Sequence, residues 1–361
     1  MHERLHYIPI LKSKKAELTA LNELTDDVKQ YITPLIEVIP VPWDFKNDKP
    51  KKTQQEHLKN FTKSLAKNWT TGRPIFIDFY YVATGEKIES KHPILYSMEY
   101  IRKSGTKVIP TTGLERDASF QDAVAQAISD NNNGVCLRIQ KDDIDNSNEM
   151  NKSLDALLKQ FDVSPDYCDL IIDFESLPIK NVVEPIKYIY DIIIKFPYIK
   201  EWRTLTVAAS AFPEFLTDIQ PDSKKMLPRN EFLLWKSIIS ANRLPRLPYF
   251  GDYAIQHPNM TDTDFRNKKI PVNLRYTVSD HWLVYKGRDK NRYGHDQFNK
   301  ICHDLANGKE YSGPTFSAGD AYIDRCSKYI DGPGVPWIWR RTGFSHHIAF
   351  VVKQIANTAL P

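Results

Sequence analysis

The segment CDLIIDFES, residues 168–176, is apolar enough for a buried strand yet ends on two carboxylates two residues apart. Side chains in a strand alternate faces, so Asp173 and Glu175 share one. Other apolar runs end in the same way. Lys12 lies at the end of the run HYIPIL, Glu37 toward the end of YITPLIEVI and Asp78 toward the end of RPIFIDFYY. Thr111 and Thr112 end the fourth run, Arg138 lies in the fifth, Ser210 ends the seventh, and Asp252 and Tyr253 the eighth. Carboxylates gathered on buried strands repel one another unless Lys12, Arg138 or a metal cation stands among them. Such clusters shift pKa values or hold divalent ions. Three chemistries fit. Glu37, Asp78, Asp173 and Glu175 are oxygen ligands suited to magnesium or manganese, which would orient a phosphate. Two of the same acids could divide acid and base roles on a glycosidic bond. Lys12 could act as an amine nucleophile.

A second constellation lies near the C-terminus. WIWRRTGFSHHIAFVV gathers Trp337, Trp339, Arg340, Arg341, His346 and His347. A helix opening at Ser345 as N-cap would put both histidines in its first turn, where free amides and the dipole attract anions. With the arginines this makes a grip for a phosphate or carboxylate. Adjacent histidines fall about 100° apart on a helix and are a poor metal pair. The commoner role for such a pair is one buried, hydrogen-bonded His beside one exposed His. FSAGDAYI adds Asp320 at a helix-opening Gly-Asp turn. The G-x-S-x-G elbow of serine hydrolases is missing, and GRDKNRYGH lacks the spacing of a P-loop.

These residues need elements to position them. Short β-branched runs recur about every 25 to 45 residues, with helical spacing between them, which is the cadence of βα units. Eight such units in residues 1–260 match the length of a closed (β/α)8 barrel, in which all strand C-terminal ends meet at one mouth. An open doubly wound sheet would want glycines after its first strand, where this chain has LKSKKAEL. After residue 260 the pattern changes to a hairpin, VNLRYTV and HWLVYKG, followed by helical segments. The expected fold is therefore α/β: a (β/α)8 TIM-like barrel, 1–260, with a C-terminal α+β appendage, 261–361, packed on it.

Composition sets outer bounds. The chain has 361 residues and a formal net charge of +4, too small to announce a nucleic-acid binder. Residues 1–260 carry 34 basic and 35 acidic side chains, and residues 261–361 carry 15 and 10, so the surplus sits in the appendage. This is either a solvated face or a patch for a polyanion. Cys136, Cys168, Cys302 and Cys326 form no CxxC pair, which argues against a zinc ribbon or redox motif. No apolar run reaches membrane-spanning length and the N-terminus has no signal-peptide layout, so a soluble, cytoplasmic protein without a membrane partner is expected.

Several stretches together resemble the phage beta-protein family of phages and bacteria: YIPILKSKKAELTAL with ITPLIEV near the start, FSAGD late, and WRRTGFSHHIAFVV at the end. The matching positions are Lys12, Glu37, Gly319, Asp320, Trp339, Arg340, His346 and His347. The resemblance spans nearly the whole chain and implies a phage or mobile-element setting, in antiviral defence or counter-defence. It assigns none of these residues a role. The IIDFE ending also shares the D-x-E of chitinase-type barrels, but Ile171 stands where that pattern has a further Asp, which places the glycosidase behind hydrolase-type phosphoryl transfer.

Two functions follow as expectations. One is a barrel whose mouth binds or processes a phosphorylated small molecule or nucleic-acid end. Its acid/base or metal set is Glu37, Asp78, Asp173 and Glu175. Lys12, Arg138, Asp252, Tyr253, Asp320, Arg340, Arg341, His346 and His347 contact the ligand. The other is a non-catalytic module that recognises a phage or host macromolecule through the basic appendage.

Overall fold

The computed structural model describes residues 6–145, 147–177, 183–241, 243–260 and 269–358. Its strands, in chain order, are β1 (Tyr7–Lys12), β2 (Leu35–Glu37), a short ribbon of β3 (Trp43–Asp44) and β4 (Lys49–Pro50), β5 (Ile75–Asp78), β6 (Val108–Thr112), β7 (Val135–Gln140), β8 (Cys168–Ser176), β9 (Thr204–Ser210), β10 (Ser223–Pro228), β11 (Tyr249–Asp252), β12 (Pro271–Val278) and β13 (His281–Asp289). Eight of them close a barrel in the order β1-β2-β5-β6-β7-β8-β9-β11, each parallel to both neighbours. The expected (β/α)8 architecture is the one observed.

Strand parity explains how the barrel is filled. Ile8, Ile10, Leu35, Phe76, Ile109, Cys136, Ile171, Ala208 and Tyr253 form one buried cluster. These are the inward positions, and continuing each series toward the strand C-terminus reaches Lys12, Glu37, Asp78, Thr111, Arg138, Asp173 and Ser210. The barrel is thus largely apolar in its middle and ionic at the top, while the same parity turns Asp169, Thr204 and Thr206 inward at the lower end. The outward positions, such as Tyr7, Leu11, Ile36, Ile77 and Leu137, join the larger core beneath the helices. Each fully buried aliphatic side chain there contributes about 1.5–3 kcal/mol. Local chemistry sets the helix ends: Thr53 caps Gln54–Asn68, Asp117 caps Ala118–Asn131, and Asn132 ends the latter in a left-handed turn at φ 50°.

The appendage is a three-stranded antiparallel sheet, β10-β13-β12, covered on one side by helices Gln297–Ala306 and Ala318–Ser327. The expected hairpin is β12 and β13. Its third strand, β10, comes from the connection between β9 and β11, so the sheet draws on chain from before residue 260. No helix among the described residues is long and apolar enough to cross a membrane.

One expectation is corrected. The last helix does not open at Ser345. It runs from Pro336 to Ala356, with Val335 as an extended N-cap and Pro336 in its first turn. Proline's fixed φ and missing N–H suit that place. Gly343 does not break the helix. A Cβ there would lie 2.6 Å from Ile255 Cδ1 and 2.9 Å from Arg275 O, so glycine is what lets the helix approach the sheet. Ser345 lies mid-helix, and its Oγ accepts from Gly319 N at 3.3 Å. His346 and His347 are therefore remote from the helix N-terminus, and the dipole argument for an anion grip does not apply to them.

Candidate active site at the barrel mouth

Arg138 organises the mouth. It projects from β7 into the barrel with 3% of its side chain exposed. Nε donates to Asp173 Oδ2 at 2.8 Å, Nη1 to Glu37 Oε1 at 3.0 Å and Asp78 Oδ2 at 2.8 Å, and Nη2 to the Tyr253 hydroxyl at 2.7 Å. Tyr253 donates in turn to Asp173 Oδ2 at 2.6 Å. Lys12 Nζ donates to Glu37 Oε2 at 2.9 Å and to Pro258 O at 2.8 Å. The strand ends thus bring Lys12, Glu37, Asp78, Arg138, Asp173 and Tyr253 together as expected. Burial and the neighbouring Asp173 and Glu37 carboxylates raise the Tyr253 hydroxyl well above its ordinary range, although Arg138 opposes them. Among the described residues no group of three or more His, Cys, Asp or Glu side chains is arranged to hold a metal ion. Arg138 stands among the three carboxylates and donates to each of them.

Glu175 stands apart from this network. The register of β8 shifts between Asp173 and Ser176, and Glu175 takes the left-handed conformation at φ 51°. A non-glycine residue there stores backbone strain, a recurrent feature of functional sites. The shift lets Asp173 Oδ1 accept from Glu175 N at 2.9 Å, while Gln140 Nε2 donates to Glu175 Oε1 at 2.8 Å. The carboxyl is half-buried. Burial, followed by the nearby Asp173 charge, raises its pKa, with Arg138 and Gln140 opposing. It is the mouth acid best placed to exchange a proton.

Three residues outside the expected set also line the mouth. Arg116, in the loop after β6, lies 3.8 Å from Asp78 Oδ2. Gln140 holds Glu175. His257 Nδ1 accepts from Asn259 N at 3.1 Å, so Nε2 carries the proton and donates to Ser176 Oγ at 2.9 Å. Burial lowers the pKa of His257, and its tautomer makes it a donor toward Ser176, not a base. All three are polar residues at or just beyond the strand ends, a signal too common to single them out.

The remaining expected ligand residues lie at a seam between the barrel wall and the appendage. Asp252, one residue before Tyr253, faces the opposite side of β11. Its Oδ1 accepts from Tyr7 Oη at 2.5 Å and its Oδ2 from His347 Nε2 at 3.0 Å. His347 Nδ1 takes the Thr277 hydroxyl at 2.7 Å, and burial lowers its pKa. Asp320 accepts from Tyr276 Oη at 2.6 Å, Ser317 Oγ at 2.6 Å and His346 Nδ1 at 2.9 Å, while His346 Nε2 meets Thr277 O at 2.8 Å. Asp320, His346 and His347 are fully buried. Arg340 lies beside Glu17 and Arg275, and Arg341 pairs with Glu23 at 3.2 Å. Gly319 completes the seam: a Cβ there would lie 2.3 Å from Thr342 O. The late motifs FSAGD and TGFSHH therefore fit into one another as a helix crossing.

A family model described as Beta protein matches residues 7–353. No curated protein matches the chain. Among solved structures, a Xanthomonas albilineans dihydropteroate synthase with 4-aminobenzoic acid is similar at 12% identity over 70% of this chain and 88% of that one, with a TM-score of 0.39. A triosephosphate isomerase from Bartonella henselae is similar at 12% identity over 70% and 93%, with a TM-score of 0.36.

Proposed function

The chain belongs to the Beta protein family, and we propose that its barrel mouth is a pocket that binds and processes a small phosphorylated ligand, with Glu175 as the acid/base residue. The observation that carries this reading is the difference among the four mouth carboxylates. Glu37, Asp78 and Asp173 are fixed by Arg138, whereas Glu175 has a single side-chain donor, a raised pKa and a strained backbone. An acid of raised pKa beside fixed charges suits proton donation to a leaving group near neutral pH. In this reading Arg138 supplies the positive charge among these carboxylates, so the chemistry proceeds on side chains. The test is thermal unfolding against a panel of nucleotides and sugar phosphates, followed by turnover assays of any compound that binds, with and without EDTA. A phosphorylated compound should raise the midpoint in both wild type and Glu175→Gln, and be turned over by wild type alone, unaffected by EDTA. A panel without a binder, or turnover that EDTA abolishes, would sink this reading.

A second reading rests on the appendage. A cavity of about 580 Å³ there is lined by Lys224, Tyr285, Lys286, Arg288, Tyr293 and Lys300 among others. It suits an acidic partner surface, but Asp304 and Asp222 already pair with Lys224 and Arg288, which halves its free charge. The exposed Lys300→Glu would weaken such a partner and leave mouth ligands unaffected.

A further inference from the structure

Building on the mouth as ligand pocket, we propose that Arg116 anchors an oxyanion site there, taking two oxygens of one phosphate or carboxylate group along its Nε–Nη2 edge. The Arg116 side chain is 4% exposed. The face of its guanidinium lies over the Tyr80 ring, with Cζ 4.2 Å from the centroid. Nη1 is 3.4 Å from Glu115 Oε1. Nε and Nη2 have no hydrogen-bond partner. These two N–H groups form the side-on fork of a guanidinium, whose parallel donors match paired oxygens of a carboxylate or phosphate. A buried donor left unmet costs about 1–3 kcal/mol, which a ligand would recover.

The nearest acid does not meet this demand. Asp78 Oδ2 is 3.8 Å from Nη2, beyond hydrogen-bond length, and already accepts from Arg138 Nη1 at 2.8 Å. Asp78 Oδ1 accepts from Tyr80 N at 2.9 Å. Gly113 permits a close approach here, since a Cβ would lie 2.9 Å from Arg138 O and 3.6 Å from both Arg116 Cζ and Nη2. Tyr80, which roofs the guanidinium, is 44% exposed, so one surface ring separates the fork from solvent. Arg229 provides the contrast. Its Nε and Nη2 are also without a hydrogen bond, but it is fully buried between Glu231 at 3.6 Å and Asp252 at 3.9 Å, away from the surface.

The charges suggest a consequence. Lys12, Arg116 and Arg138 balance Glu37, Asp78 and Asp173, so an entering oxyanion adds negative charge and favours the protonated form of Glu175. Anchoring the ligand and arming the acid would then be one event.

The test titrates inorganic phosphate and, separately, acetate at constant ionic strength, with the unfolding midpoint as readout. Wild type, Arg116→Lys, Arg116→Met and the exposed Lys63→Met are compared. Phosphate should raise the wild-type midpoint saturably, Arg116→Lys should bind at least roughly tenfold more weakly, because a point charge replaces the fork, Arg116→Met should not respond, and Lys63→Met should match wild type. A saturable response to acetate alone upholds the fork and identifies a carboxylate ligand. Equal phosphate affinity in wild type and Arg116→Lys overturns the proposal, because the guanidinium would then merely balance Asp78; this comparison decides even if Arg116→Met does not fold. A wild type that answers neither anion also overturns it. Turnover separates the two readings. Phosphate binding lost on changing Arg116, with no bound phosphorylated compound turned over by wild type, keeps the anion site and removes the reaction pocket; turnover lost in Glu175→Gln, with phosphate bound equally by wild type and Arg116→Lys, removes the anchor and keeps the pocket.

Discussion

Two ionic clusters meet at the C-terminal end of β11. Tyr253 turns inward to Arg138 and the mouth, while Asp252, its neighbour in sequence, turns outward to Tyr7 and His347 at the seam. Both clusters use carboxylates, cations and a tyrosine hydroxyl, yet they are built differently. At the seam the principal acids are closed: Asp252 and Asp320 receive donors from several elements, and the histidines between them are fully buried. At the mouth the inner ring is equally closed, but the outer members are not. Glu175 is half-buried with one side-chain donor, and Arg116 keeps a free edge. Residue type therefore does not separate the two clusters. The donors met by each acid do: Glu175 has one side-chain donor, Asp252 has two and Asp320 three.

The contrast can be broken hardest at Arg138. Arg138→Met would leave Glu37, Asp78 and Asp173 in one cavity without their common partner. Removing one member of a buried ionic network costs about 3–5 kcal/mol. Urea unfolding at pH 7 should show a loss of that size, and lowering the pH should recover part of it as the acids take up protons. An unchanged midpoint would mean that the ring is not the keystone of the barrel top.

At the seam, Gly319→Ala tests packing without touching charge. The added Cβ meets the Thr342 carbonyl, a backbone atom that cannot swing aside. Overpacking of this kind costs about 1–3 kcal/mol. Gly85→Ala, where a Cβ meets nothing within 4 Å, is the control and should change stability by less than about 0.5 kcal/mol. Equal stability of the two variants would show that the helix crossing is loose.

A third comparison uses pH. Glu231, fully buried beside Arg229, has its pKa raised by burial from 4.5 to about 8. The folded state thus holds this proton more tightly than the unfolded chain does. Its contribution to stability is complete below about pH 4.5 and is lost as the pH rises through about 8. The total is on the order of a few kcal/mol, at about 1.4 kcal/mol per unit. Glu231→Gln, permanently neutral, should flatten the fall in stability between these limits. A slope as steep as that of wild type would place the titrating group elsewhere.

Much of this was legible in the sequence, for a physical reason. The period-2 alternation of buried strands and the spacing of βα units are local signals, and parity alone carries Lys12, Glu37, Asp78, Arg138 and Asp173 to one mouth. The same rule could have separated Asp252 from Tyr253, since neighbours in a strand cannot both face inward. The seam was not legible. Ser345 reads as an N-cap only while the elements that press on the helix are unknown; the real role of Gly343 and Ser345 is close approach to Arg275, Ile255 and Gly319. The β10 strand was hidden because its partner, β13, is about sixty residues away. Arg116 carries no local mark, because an unpaired fork is a property of the surroundings and not of the residue.

The smallest expected effect is the most telling. Glu175→Gln removes a charge that repels Asp173 and relieves a carboxyl held partly out of water, while glutamine keeps the shape and can still meet Gln140. Stability should be unchanged or rise by up to about 1 kcal/mol, as it does where a site retains unfavourable charge for its chemistry. The corresponding change at the seam, Asp252→Asn, should destabilise, because it weakens contacts to Tyr7 and His347 and returns nothing. Paired unfolding measurements at pH 7 would compare them directly. If Glu175→Gln proved as costly as Asp252→Asn, the mouth acid would be structural cement like its counterpart, and the barrel top would be a second seam.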